Sequence, residues 1–116
     1  MIIRKQVNER MSRIVEHNGT IYFAGIVSDQ KDLDIKGQAK RALEIAEERF
    51  KEAETDKDTL LRAEIFLKDI YSDFADFNEI WDEWVSKENP PARACVEANM
   101  ASTNTLVEII FTAAKV

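Results

Sequence analysis

The chain is poor in the residues that build special-purpose scaffolds. It has one cysteine in 116 residues, which excludes an intrachain disulfide framework. A free thiol suits a reducing compartment. Its single histidine, His17, stands beside an Asn18–Gly19 turn signal and reads as a solvated residue. A Cys–His catalytic pair therefore has little support, and ligand spacing of the zinc type is absent. Only three glycines and two prolines occur, with no low-complexity tract. Glycine-rich phosphate loops, Ser–His–Asp arrangements and dinucleotide fingerprints are missing. The opening MIIRKQVNERMS lacks the apolar run of a secretory signal. Nothing approaches the roughly 18 apolar residues of a membrane span. The simplest expectation is a cytoplasmic protein with no membrane partner. Positive charge is also in deficit: 16 Lys and Arg face 22 Asp and Glu, a formal net charge of −6. Nucleic-acid affinity rests on clustered basic residues, and no basic stripe interleaved with aromatics appears, so no nucleic-acid partner is expected.

What is present reads as one domain over residues 1–116, long enough for a real core. Extended segments are expected at Ile2–Gln6, Arg13–His17 and Thr20–Val27, the last rich in β-branched and aromatic residues. Gly25 inside it marks a bulge or a close backbone approach by something else. Asp34 is a plausible N-cap, and apolar residues at 35, 39, 42, 43, 46, 50 and 53 repeat at helical spacing. A strand follows through Ile65–Leu67. Ser72 or Asp73 could cap a second helix, Phe74–Val85, with a stripe of Phe74, Phe77, Trp81, Trp84 and Val85. After Pro90–Pro91, two strands, Arg93–Met100 and Leu106–Ala113, are expected to pair as an antiparallel hairpin. The order describes an α+β domain: one mixed sheet with two helices on one face. Large apolar groups on both sides of the last strand leave the other face without cover, which predicts a homo-oligomer.

Four residues bear weighing as chemistry. Asn78 lies on the stripe of the second helix; its amide either ties that helix to a strand end or aims at a ligand. Arg93 enters its strand directly after the prolines. It is either an ordinary surface group or an anchor for a carboxylate or phosphate, whose oxygens match the guanidinium fork. Cys95 shares the Arg93 face and is either a small buried hydrophobe or part of a site wall. Glu108 is an acid in the middle of the apolar run LVEIIF. It either faces water or, in an apolar setting, is suited to general acid–base work. Residue spacing does not establish that Glu108 faces Arg93. Glu97 and Asn99 read as ordinary solvated strand residues.

PPARACVEANMASTNTLVEIIFTAAK resembles the C-terminal signature of the RidA (YjgF, Rid) family, and IYFAGIV, GQAKRALEIAEERFKEA, LLRAEIFLKDI and DFADFNEIWDEWV match that family's pattern in order. The likeness covers nearly the whole chain, and the DFNEIWDEWV segment resembles the YoaB-like branch. It implies a chorismate-mutase-like fold and a homotrimer whose sheets line a central β-barrel, with ligand sites in clefts between subunits. It implies hydrolysis of 2-imino and 2-enamino acids to 2-oxo acids and ammonia, without cofactor or metal. A non-catalytic trimer that binds small carboxylates such as 2-oxo acids is the alternative. A ribonuclease or translation inhibitor fits least, given the acidic charge. By resemblance Arg93 holds the substrate carboxylate, Glu108 positions or activates the attacking water, Cys95 and Asn78 line the pocket, and the backbone of Gly25 approaches the ligand. Two positions depart from the deaminase pattern: Met11 stands at the place of a pocket tyrosine, and Ala24 at that of the serine before the glycine.

Overall fold

VEIIFTAA, Val107–Ala114, alternates without a break: Val107, Ile109, Phe111 and Ala113 are buried, and the residues between them are half-buried. A strand with that pattern belongs in the middle of a sheet with one face closed. The computed structural model, which describes all residues from Met1 to Val116, places it there. Six strands, β1 (Ile2–Val7), β2 (Ser12–His17), β3 (Thr20–Phe23), β4 (Leu60–Leu67), β5 (Ala92–Glu97) and β6 (Val107–Ala114), form a mixed sheet in the order β1-β2-β3-β6-β4-β5. All neighbours are antiparallel except β4 and β5. The helices α1 (Ile35–Glu52) and α2 (Ile70–Trp84) run between β3 and β4 and between β4 and β5, and α2 forms the crossover that makes its two flanking strands parallel neighbours.

The expected C-terminal hairpin does not form. β6 inserts between β3 and β4, and β5 is the edge strand beyond β4. Alternation of side chains shows that a segment is extended but not which strand it pairs with, and residues 98–106 are long enough to carry the chain over β4. Strand β3 stops at Phe23 rather than Val27, because the backbone breaks at Ala24–Gly25. Ile26 then rejoins the sheet through a bridge to Ile109, with its N–H 2.8 Å from the Ile109 carbonyl.

Asp34 caps α1, its carboxylate accepting from the Gly37 N–H at 2.9 Å. Helix α2 begins earlier than the apolar stripe indicates. Asp69 is the N-cap, accepting from the Ser72 N–H at 3.2 Å. The stripe misleads because Ile70 and Tyr71 precede the packed residues, Tyr71 lies almost wholly in solvent, and Phe74 is itself exposed. Between helices and sheet lies a core of aromatic contacts. Phe50 meets Phe23 and Phe111 edge-on at 5.2 and 5.3 Å between centroids, and Trp81 stacks on Phe111 at 6.2 Å. Gln38 is the largest of three buried polar residues, with Ser28 and Thr105. It is fully buried, donating to the Leu33 and Asn104 carbonyls and accepting from the Leu106 N–H at 2.9 Å. One side chain thus ties the loop before α1 to the entry of β6. No helix is long and apolar enough to cross a membrane.

Both helices lie on one face. On the other, Tyr22, Phe66, Val96 and Ile110 are half-buried or exposed.

Candidate functional site

Arg93 occupies the second position of the edge strand β5, level with Ala63 of β4. Ala63 is fully buried under the helices, so this register turns Arg93 toward the helical face. There α2 receives it. Nη2 donates to Asn78 Oδ1 at 2.7 Å, and the guanidinium carbon lies 5.5 Å from the Trp81 ring and 5.9 Å from Phe77. Cation–π contact and one hydrogen bond fix the plane of the fork. No carboxylate of the chain pairs with it, so the remaining donors are free for an anion. The structural reading of Asn78 holds: the amide ties α2 to a strand end, and the tie is to Arg93 itself.

Cys95, level with Ile65, lies on the same face beside Ile70, Tyr71 and Phe74. Burial pushes its thiol above the ordinary cysteine range, and the charge of Arg93 opposes this only in part. A thiol held above that range is a poor nucleophile. Glu97, next on that face, is no idle solvated residue: its Oε1 accepts from the Ile70 N–H at 3.0 Å and caps α2 alongside Asp69. Sequence reasoning missed this because the helix start was set too late.

Glu108 lies elsewhere. It is level with Phe66 on β6, and Phe66 alternates with the buried Ile65 and Leu67, so both project from the face without helices. Within one chain Arg93 and Glu108 therefore point to opposite sides of the sheet, with β4 between their strands. The expectation that Glu108 is supplied by the strand next to Arg93 fails on topology. The partner of Glu108 is Gly25. A Cβ at Gly25 would overlap Glu108 Oε2 and stand 2.9 Å from Cδ. Only a residue without a side chain lets the carboxylate rest against the backbone break that ends β3. Gly25, Ala24 and Met11 share the wall of a cleft of about 490 Å³ that continues to α1.

The chain thus carries two separate candidate groups: a cation fork on the β5 edge, and an acid beside a glycine near the β3 break. No group of three or more His, Cys, Asp or Glu side chains is placed to hold a metal ion. The class so defined is a small α+β protein with an oriented, unpaired arginine and an acid held on the other face of the same sheet.

The family model described as Endoribonuclease L-PSP matches residues 3–115. A RutC family protein of Haemophilus ducreyi is 38% identical over 114 residues, covering 98% of this chain and 97% of that protein. The RutC family protein YoaB of Escherichia coli is 34% identical, with 97% of each chain covered. Among solved structures, a YjgF-family protein of Neisseria meningitidis superposes with a TM-score of 0.96 at 35% identity, covering 100% of this chain and 96% of that one. The chain belongs to the YjgF/RutC (Rid) family.

Proposed function

We propose that the protein hydrolyses reactive 2-imino and 2-enamino acids to 2-oxo acids and ammonia, at clefts between the copies of a homotrimer. The observation that carries this reading is Arg93, oriented by Asn78 and two aromatic rings yet without a carboxylate of its own. A fork so prepared fits a substrate carboxylate in bidentate geometry. The opposite facing of Arg93 and Glu108 means that a second copy is needed to bring a Glu108–Gly25 pair to the arginine. The bare apolar face of the sheet supports assembly, and packing three such faces inward would form a central barrel.

The chemistry asks little of the protein. An iminium carbon is already electrophilic, so an anchored substrate and one placed water suffice. Glu108 takes a proton as water adds to the carbon, giving a carbinolamine. It returns that proton to the nitrogen, and the C–N bond breaks as the hydroxyl becomes the new carbonyl. The hydroxyl proton leaves with ammonia as ammonium, and no electron changes hands. Cys95, protonated, shapes the pocket. Met11 and Ala24 offer no hydroxyl to the cleft they line, and this favours as a second reading a trimer that binds small carboxylates without turnover.

The test is ammonia release while an amino-acid oxidase generates the imine in place. Arg93→Ala is expected to lower kcat/KM at least about 100-fold, the loss of a charged bidentate contact. Equal rates for wild type and variant would remove the anchor and the reading with it. Binding of 2-oxobutyrate at Arg93 without ammonia release would select the second reading. The endoribonuclease description belongs to the family model, and a net charge of −6 gives an RNA backbone little to hold.

A further inference from the structure

The cleft beside Gly25 has a charge balance opposite to that of the chain. Arg13, Lys31, Arg41 and Arg49 line it against Asp29 and Glu48, four positive groups to two negative in a chain of net −6. These cations are not equally occupied. Arg41 is spent on the protein, forked onto Asp29 at 2.8 and 3.0 Å and within reach of Glu44 and Glu48. The same fork holds the Asp29 carboxyl below its ordinary range. Lys31 donates to the Thr105 hydroxyl at 2.8 Å and has no ion-pair partner. Arg13 and Arg49 make no side-chain hydrogen bond and no ion pair at all.

Both are half-buried, and they work against each other: burial first, and then the charge of Arg13, push the Arg49 guanidinium below its ordinary range. Two partly desolvated guanidiniums lining one cleft raise the free energy of the empty cleft, and an anion between them lowers it. Their position is informative. The Ala24 N–H donates to the Arg13 carbonyl at 3.0 Å, so Arg13 lies directly across the ladder from Ala24 and next to Gly25. The cleft is thus lined both by Ala24 and Gly25, on the wall assigned to the imine, and by two unpaired cations. Its volume of about 490 Å³ suits a small molecule with groups at both ends.

We propose that Arg13 and Arg49 form a second anion site, which takes the distal carboxylate of a ligand whose 2-imino or 2-oxo acid end is held by a neighbouring copy's Arg93. The substrate class is then 2-imino acids with an acidic side chain. A second copy is again required, because Arg13 on β2 and Arg93 on β5 are four strand spacings apart in one chain, roughly 19 Å at about 4.8 Å each. The proposal rests on the 2-imino acid reading for the near end of the ligand.

Calorimetric titration of the full chain tests it, with 2-oxoglutarate, its isosteric monoanion 5-methyl-2-oxohexanoate, and 2-oxobutyrate as probes. Wild type is expected to bind 2-oxoglutarate about tenfold or more tightly than the monoanion. In Arg49→Gln and in Arg13→Gln that ratio should fall toward one. Equal binding of the two by wild type, or a ratio that survives in both variants, overturns the proposal. Arg93→Ala separates the two layers. If all three acids bind in an Arg93-dependent way but the dianion has no advantage, only the second anion site fails. If binding ignores Arg93, the underlying reading fails and the proposal with it.

Discussion

The two faces of the sheet share strands but obey different physics. On the helical face, Ile21, Ala63, Ile65, Leu67, Val107, Ile109 and Phe111 are all buried, and the packing leaves no room for choice. One residue away on the same strands, Tyr22, Phe66, Ile110 and Glu108 stay partly in solvent. The covered face makes the fold. The bare face carries the acid and the apolar surface that a second copy would cover. Arg93 belongs to the first face only because it sits at the edge, where α2 can hold it with Asn78 and still leave donors free. The packed core and the acid are thus separated by a single step along a strand.

The sharpest way to test this division is to remove volume from the covered face. Phe111 is fully buried against Phe50, Trp81 and Trp84. Phe111→Ala should cost about 3–5 kcal/mol in urea unfolding, the usual result of a large cavity in a packed core. Its neighbour on the bare face should behave otherwise. Ile110→Asp leaves the covered core intact, so the chain should still fold, but sedimentation should show the proposed trimer shifted to monomer. A trimer as stable as wild type would show that this face is not the one covered.

Gly25→Ala probes the contact between the β3 break and the acid. The obstacle is the far end of a flexible side chain, so stability should change by less than about 1 kcal/mol. Imine turnover should nevertheless fall about tenfold or more as Glu108 is displaced; unchanged turnover would detach Glu108 from the reaction. The smallest effect concerns Cys95. Its alkylation by iodoacetamide should rise with pH later than that of a free cysteine, because burial raises its thiol. The sign for stability follows. A thiol raised in the folded state contributes stability that is present below the pKa of the unfolded thiol and is lost as pH climbs through the folded one. The stability gap between wild type and Cys95→Ala should therefore narrow on the alkaline side.

Much of this was legible in the residues. Asp34 and the apolar spacing of α1 announced that helix, because capping and periodicity are local properties. Gly25 announced a bulge or a close approach, and the Glu108 carboxylate makes that approach, whereas the end of β3 at Phe23 was not legible. The partner strands of β5 and β6 were not legible, since alternation is the same whichever neighbour a strand has. That one ambiguity also hid the separation of Arg93 from Glu108, because side is inherited from register. The cleft between Arg13 and Arg49 was hidden for another reason. The two lie on a strand and a helix 36 positions apart, each an ordinary arginine until the loop after β3 brings them together. The acidic composition of the whole chain further masked a local surplus of positive charge.

The position of β6 has one more consequence, which concerns time. It is the last of the six strands to leave the ribosome, yet it stands between β3 and β4 and bonds to both. Until it arrives, the strands that precede it are two separate pieces with no shared ladder, β1-β2-β3 on one side and β4-β5 on the other. Closing such a gap requires contacts distant in sequence, which fold slowly. The nascent chain must wait with unpaired edges on β3 and β4 exposed, the condition under which partly made proteins recruit chaperones or aggregate.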